Sequence, residues 1–447
     1  MWRRAFERYE NIWTAQRTAF TLVKMRISRV LASLFLAVAP LCFGQETPSS
    51  PVLKGYVTRV GSPTDFDVEG KHILLGPRTT IQSAFRNSNG NEYRQTVPDG
   101  LKPYLGERLE IYGEASGKTH TVAANLIVLS PRVFSTVSGV AIVDAMPALP
   151  AGTSVTTDRL IRADGYRILI TPKTKVAFEK PLASASDIRV NVWCVYHGKP
   201  RADGIVIADR VSFSRNFISK SEDKLREKWE FEPASIDPNI HQSGADKFIR
   251  GVDPKKFPPH EDHAMLVRIN AIGAKLVPKY QMDFPPTEQT RIDFGFYLID
   301  APKWQDAIAL PSGIVLVPYQ IVDKMQNDSQ LAALLADKVA WLLEKQPVPL
   351  PATASDFGIA AGETAADILV PGFALVMEAA SIDAIKQFRL REEQRARVSL
   401  DLMQDAGYDI EQAPVAWWLL SEKNSNDLAD TRIPRHAEYL FGLIGER

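Results

Sequence analysis

The chain has 447 residues, with 53 basic and 53 acidic side chains and no net formal charge. That length allows roughly two to four domains and a sizeable core. Apolar residues make up 45% and charged ones 24%, the balance of a globular protein rather than a disordered one, and without a basic stripe the charge excludes the usual footprint of a nucleic-acid binder.

Residues 1–44 read as a targeting segment. Arg26 and Arg29 form a basic start after Met25, residues 30–42 an apolar run, and Cys42-Phe43-Gly44 a small-x-small cleavage site. The run is shorter than the ~20 residues a bilayer crossing needs, and Leu41 before Cys42 does not suit a lipoprotein signal. The expectation is cleavage after Gly44, export to the periplasm or the extracellular space, and no transmembrane span in the mature chain. The 24 residues before Met25 read as an over-extended start, or else as a long basic leader. Removing 1–44 leaves 46 basic and 51 acidic residues, a net charge of −5, and Cys194 as the sole cysteine. A single cysteine makes no internal disulfide, so the fold rests on packing. Cys194 lies in the strand-like run NVWCVYHG and reads as a buried thiol.

After the linker ETPSSP the chain turns to short alternating strands punctuated by Gly and Pro, and it repeats itself. Gly55-Tyr-Val matches Gly139-Val-Ala, LLGPRTTI (74–81) matches LITPKTKV (169–176), LEIYGEASG (109–117) matches VWCVYHGKPRADG (192–204), and AANLIVLS (123–130) matches IADRVSFS (207–214). The spacing predicts two copies of one β unit, 52–131 and 136–215, each of five or six strands closed as a small barrel or curled sheet. Both copies resemble small β-barrel domains of unknown function found in exported bacterial proteins.

Residues 216–262 form a charged, proline-rich bridge in which 219–232 could make an amphipathic helix. His260 and His263 are three apart, which is compatible with metal binding on a helix, but the preceding Pro-Pro and the lack of a third ligand favour a solvated helix entry. From His263 a helix is expected over HAMLVRINAIGAKLV. RIDFGFYLID and DAIALPSGIVLVP then alternate as strands joined by a turn. DSQLAALLADKVAWLLEKQ reads as an amphipathic helix capped by Asp328 or Ser329 and stopped by Pro347. Further helices are expected at about 361–382, 383–406 and 411–445. The fold class is thus two all-β repeats followed by an α+β, mostly helical domain over 263–447.

Three segments of that domain carry a likeness. Asp306-Ala-Ile-Ala-Leu-Pro-Ser-Gly313, Ser329-Gln-Leu-Ala-Ala-Leu-Leu-Ala336, and the stretch from Glu392-Glu-Gln394 to Ala406-Gly-Tyr-Asp409 follow one another in order. They resemble the zinc-dependent peptidases of the CAAX-prenyl-protease type. Those read Asn-Ala-Phe-Ala-Leu-Pro-Gly-Gly on a strand, Leu-Ala-x-Val-Leu-Ala-His-Glu-x-x-His on the zinc helix, and Glu-x-Glu-Ala-Asp on a later one. The resemblance implies a zincin-like fold. The two histidines, four apart, would bind zinc, and the glutamate between them would be the general base.

The departures fall on that chemistry. The family's first histidine, base and second histidine become Asp337, Lys338 and Trp341, and the ligand glutamate becomes Gln394. Asp337 could bind zinc. Trp341 cannot, for its indole nitrogen only donates; Gln394 is neutral; a charged Lys338 repels a metal and accepts no proton. Adjacent on a helix, Asp337 and Lys338 should not face each other. Arg391, Gln394 and Arg395 are candidate partners for Asp337, the alternative being that both charges reach water. Trp341 could fill the vacated space. The strand Ala309, Leu310, Pro311, Ser312 and Gly313 aligns with the family's substrate groove, and strand addition needs no zinc. The expectation is therefore an exported, non-catalytic metallopeptidase relative that binds protein or extended peptide and needs no cofactor. The alternative is a metalloendopeptidase with a rearranged zinc site. Only His263 and His436 remain in this region, neither at a ligand position, and no Gly-x-Ser-x-Gly elbow, phosphate loop or Cys/His pair is present.

Overall fold

The computed structural model describes residues 50–86, 92–98, 100–116, 119–130, 136–150, 158–201, 203–219, 222–223, 226, 259–302, 306–346, 382–421 and 433–447. The expected targeting segment, nearly all of the expected bridge helix and the helix expected at about 361–382 lie outside them.

The first sheet runs β1 (Leu53–Ser62), β2 (Asp65–Val68), β3 (Lys71–Arg86), β4 (Glu92–Thr96), β5 (Arg108–Ser116) and β6 (Thr121–Leu129). β1 pairs antiparallel with β2 and β5, β2 with β3, and β5 with β6; β3 and β6 pair in parallel and close the ring. The second sheet runs β7 (Val137–Ala145), β8 (Arg159–Ala163), β9 (Tyr166–Ile170), β10 (Lys175–Phe178), β11 (Val192–Pro200) and β12 (Ile205–Arg215). Its pairings are the same, with β9 and β10 standing for the two halves of β3, both parallel to β12. Each is a small barrel of five strand positions with one parallel closure, the connectivity of an OB-type barrel. β4 is extra, an edge strand on the first barrel alone. Alternation fills the interiors: Val57, Phe66, Val68, Ile73, Leu109 and Ile127 in the first, Val143, Ile161, Ile168, Cys194, Tyr196 and Phe213 in the second, all fully buried.

The duplication extends to side chains. Gly76 N donates to Thr79 Oγ1 (2.8 Å), which donates to Ala124 O (2.6 Å). In the second barrel Thr171 N donates to Thr174 Oγ1 (2.9 Å), which donates to Ala208 O (2.8 Å). Both second hairpins turn on two positive-φ residues, Glu69-Gly70 (51°, 71°) and Asp164-Gly165 (58°, 69°), the twist-matched type I′ geometry. The acid of each turn folds back over the opening strand, where a Cβ on Gly55 or Gly139 would collide with it. That is why the first motif of each repeat needs glycine.

The rest of the described chain places α1 (His263–Leu276) and α2 (Lys279–Asp283) before β13 (Gly295–Ile299), β14 (Ile308–Ala309) and β15 (Ile314–Pro318). α3 (Tyr319–Lys324), α4 (Asp328–Leu343), α5 (Ile382–Asp405), α6 (Gln412–Ser421) and α7 (Arg435–Glu446) follow. β15 is central, parallel to β13 and antiparallel to β14. All five of its residues are buried, so the expected alternation fails there: a strand covered on both faces needs apolar residues on both. α4 packs on α1, α5, α6 and β14. Helical content is modest. The expectation of a mostly helical domain is corrected to helices combined with a three-stranded sheet, behind two barrels that are wholly β. Among the described residues no helix is long and apolar enough to cross a membrane.

Barrel 1 docks on α7. A Cβ on Gly106 would strike the Phe441 carbonyl and come within 2.6 Å of Gly445 N, and Tyr56 packs over Gly442. Barrel 2 docks on α4 and α5. Glu344 Oε2 accepts from Ile142 N (3.2 Å), and Arg397 donates to Asp164.

Candidate functional site

Asn327, one residue earlier than expected, caps α4, its side chain accepting from Gln330 N. The helix is buried nearly all round rather than along one stripe. Its apolar set Leu331, Leu334, Leu335, Val339, Leu342 and Leu343 is in the core, and so are Asp337 (0% exposed) and Lys338 (7%). The reading in which both charges reach water is therefore corrected. Buried charges must be paired, and these are. Arg395 Nε donates to Asp337 Oδ1 (2.6 Å). Lys338 Nζ donates to Asp306 Oδ2 (2.6 Å), lies 3.0 Å from Asp337 Oδ2, and sits 5.6 Å from the centre of the Trp417 ring. Adjacency does not keep the two α4 charges apart, because the flexible lysine stem curls its ammonium back to the neighbouring carboxylate.

Burial pushes the Asp337 carboxyl up, but the Arg395 guanidinium and the Lys338 ammonium outweigh it and hold the group well below the usual carboxylate range. Burial pulls the Lys338 ammonium down, and Asp306 and Asp337 more than restore it, so it stays charged. The face thus carries two cations around one buried carboxylate.

The other predicted site residues separate from this cluster. Trp341 is half-buried and packs against the core. Gln394 does not face Asp337: its Nε2 donates to Val140 O (2.8 Å) on barrel 2 and to Glu344 Oε2 (3.2 Å). Arg391 is taken up by Gln346 O (2.6 Å). Of the three candidate partners only Arg395, one residue past the aligned ligand position, reaches Asp337. Ala309 lies on the edge strand β14, whereas Leu310, Pro311, Ser312 and Gly313 form the hairpin turn into β15. Leu310 N donates to Ile314 O and Gly313 N to Leu310 O, so the turn satisfies its own backbone, and the Ser312 hydroxyl is buried without a hydrogen bond.

His260 stacks on Tyr319 (centroids 3.9 Å apart), and His263 is exposed at the start of α1. His436 meets Glu392 (Nδ1 to Oε1, 3.2 Å) and the edge of Trp417. Cys194 is buried, and burial raises its thiol pKa. Among the described residues the group whose atoms could converge on a metal is Asp65, Asp67 and His72. There the Arg59 guanidinium already binds both aspartates (2.5 to 2.9 Å).

Sequence reasoning did not single out Asp306, although the signal was present. The family's strand begins with Asn and its helix carries Glu; this chain has Asp306 and Lys338. The two departures have complementary charge and meet at 2.6 Å.

A second buried charge cluster joins barrel 2 to α5. Arg162 binds Asp144 (Nε to Oδ1, 2.8 Å) and Asp405 (Nη2 to Oδ2, 2.6 Å) and lies 3.7 Å from Asp401, which Arg447 also binds (2.7 Å). Asp144 Oδ2 and Asp401 Oδ2 are buried without hydrogen bonds. Burial pushes Asp144 up to about 7, against the pull of Arg162. A carboxyl raised in the folded state favours folding while protonated, and that contribution is lost as pH rises from the ordinary carboxylate range through 7. Between pH 5 and 8 the native chain should lose stability relative to Asp144→Asn, by about 3 kcal/mol, nearly all of it below pH 7. Parallel pH profiles of urea unfolding that never diverge would refute this.

Neither a protein-family model nor a curated protein matches this chain. The likeness to zinc peptidases therefore stands on the three segments quoted above.

Proposed function

We propose that this chain is an exported, non-catalytic relative of the CAAX-prenyl-protease-type zinc peptidases that works by binding protein or extended peptide. The observation that supports it is the Lys338 ammonium, held 2.6 Å from Asp306 and 3.0 Å from Asp337 with Arg395 on the far oxygen. Where the family would gather a dication and a general base, this chain gathers cations that repel the one and cannot serve as the other. The charges are paired among themselves, with the Lys338 ammonium 3.0 Å from an Asp337 Oδ2 that has no hydrogen bond. Binding along the edge strand at Ile308–Ala309 would need only backbone groups.

Metal analysis of the purified mature chain tests the reading. The expected result is no stoichiometric zinc, no peptide cleavage, and a melting temperature indifferent to chelator. One tightly held zinc per chain, or proteolysis abolished by chelator, would favour a metalloendopeptidase with a rearranged site. Restoring Asp337→His, Lys338→Glu, Trp341→His and Gln394→Glu together is expected to fail to create a zinc site, because Arg395 still occupies that face and Gln394 points to Val140.

A further inference from the structure

A cavity of about 190 Å³ lies between barrel 1 and helices α5 and α7. Tyr56 of β1 forms one wall, Glu392 and Glu393 of α5 another, and α7 supplies His436 and Tyr439, with Arg435 and Glu438 exposed at the rim. It exists because barrel 1 seats itself on α7 through Gly106 and Tyr56, and junctions between domains are where binding pockets are commonly found. Three carboxylates and the Arg435 guanidinium line it, with His436 hydrogen-bonded to Glu392. His436 lowers the Glu392 pKa through their hydrogen bond, so that carboxylate stays ionised. Burial raises both phenols and keeps them neutral. Tyr439 is fixed by Arg397, whose Nη1 donates to its hydroxyl (3.0 Å).

Carboxylates beside neutral aromatic rings are the lining that an organic cation requires, one supplying charge and the other a π face. An anion would meet an excess of carboxylates. The volume is below that of pockets for drug-sized ligands and suits a single head group. We propose that this cavity binds an alkylammonium or alkylguanidinium group, either the end of a Lys or Arg side chain or a free amine of the same chemistry. It deepens the binding reading above and rests on it only for the source of that group.

Calorimetric titration of the full mature chain with n-butylguanidinium and n-butylammonium, against pentanoate as the anion of matching size, tests it. A capped Gly-Arg-Gly peptide, against Gly-Glu-Gly, distinguishes the sources. The cations and the arginine peptide should bind and the anions should not. Glu438→Gln should weaken binding about threefold, the scale of one rim charge, and Glu392→Gln should weaken it more. Arg435→Gln should strengthen it about threefold by removing the rim cation, a gain that misfolding cannot mimic. A peptide that outbinds the free guanidinium points to a partner's side chain, and equal affinity to a free amine; either supports the site. No heat with any cation, equal binding of pentanoate, or indifference to Glu392→Gln and Arg435→Gln would overturn it. Zinc measured on the same preparation separates the two ideas: a zinc-bearing chain that binds cations keeps the cavity and loses the non-catalytic reading, and a zinc-free chain that binds none does the reverse.

Discussion

Replacing Arg397 with methionine should lower the unfolding free energy by about 3–5 kcal/mol, the usual cost of leaving a buried charge without its partner. Arg397 makes three hydrogen bonds between α5, barrel 2 and α7: to Asp164 Oδ1 (2.5 Å), to Asp164 O (2.9 Å) and to the Tyr439 hydroxyl. Its guanidinium also stacks 4.9 Å from the centre of the Tyr166 ring. Asp164 is 2% exposed, and its other oxygen accepts only from the buried Tyr196 hydroxyl (2.6 Å). Methionine keeps most of the stem packing, so the measured loss isolates the charge. Adding Asp164→Asn should recover part of it, because the amide no longer carries an unpaired charge into the interface. Urea unfolding of the two variants is the measurement. A loss below about 1 kcal/mol for Arg397→Met would mean the pair behaves like an exposed one and that barrel 2 is held by other contacts.

The second large effect is expected at α4. Asp337→Ala removes the fully buried carboxylate paired with both Arg395 and Lys338, leaving the more exposed Asp306 beside them, and should cost about 3–5 kcal/mol. Changing Asp337→Leu, Lys338→Met and Arg395→Met together should cost far less, since an apolar cluster of similar volume can replace a buried ion network with little loss. If the triple variant proved less stable than Asp337→Ala, the network would be stabilising in its own right and not merely self-compensating. If Asp337→Ala were silent, water must reach the face, against the burial of its carboxylate.

Much of the architecture was legible because it is periodic. The four matched segments located both barrels, since a repeat must supply the same strand, turn and glycine positions to close the same ring. Gly55 and Gly139, Thr79 and Thr174, and the Glu69-Gly70 and Asp164-Gly165 turns are the residues that do so. α1 and α5 came within a residue or two of their expected bounds. The alternation expected for β15 failed because which faces are covered is settled by what packs on a strand, not by the strand itself. At the candidate site, the sequence named the residue types at 337, 338 and 341. Their partners could not be read. Helical spacing placed Gln394 and Arg395 only about 100° apart on α5, and barrel 2, which draws Gln394 away through Val140 O, has no trace in the local sequence of α5.

The two barrels share a ring but not a seat. The acid at the second hairpin of barrel 2 reaches across to Arg397 of α5, whereas Glu69 of barrel 1 accepts from its own Tyr56 N, and that barrel meets α7 through Gly106, against Phe441 and Gly445, and the Tyr56 ring over Gly442. In both copies a glycine lets main chains come close, Gly165 against Arg397 and Gly106 against Phe441 and Gly445, but only in barrel 2 is the turn acid seen bonded to the arginine of α5. They are therefore not interchangeable parts. A chain with the barrels in reversed order would part Asp164 from Arg397 and Gly106 from the Phe441 carbonyl. Two rings of one connectivity are thus each specific to the seat on which they dock.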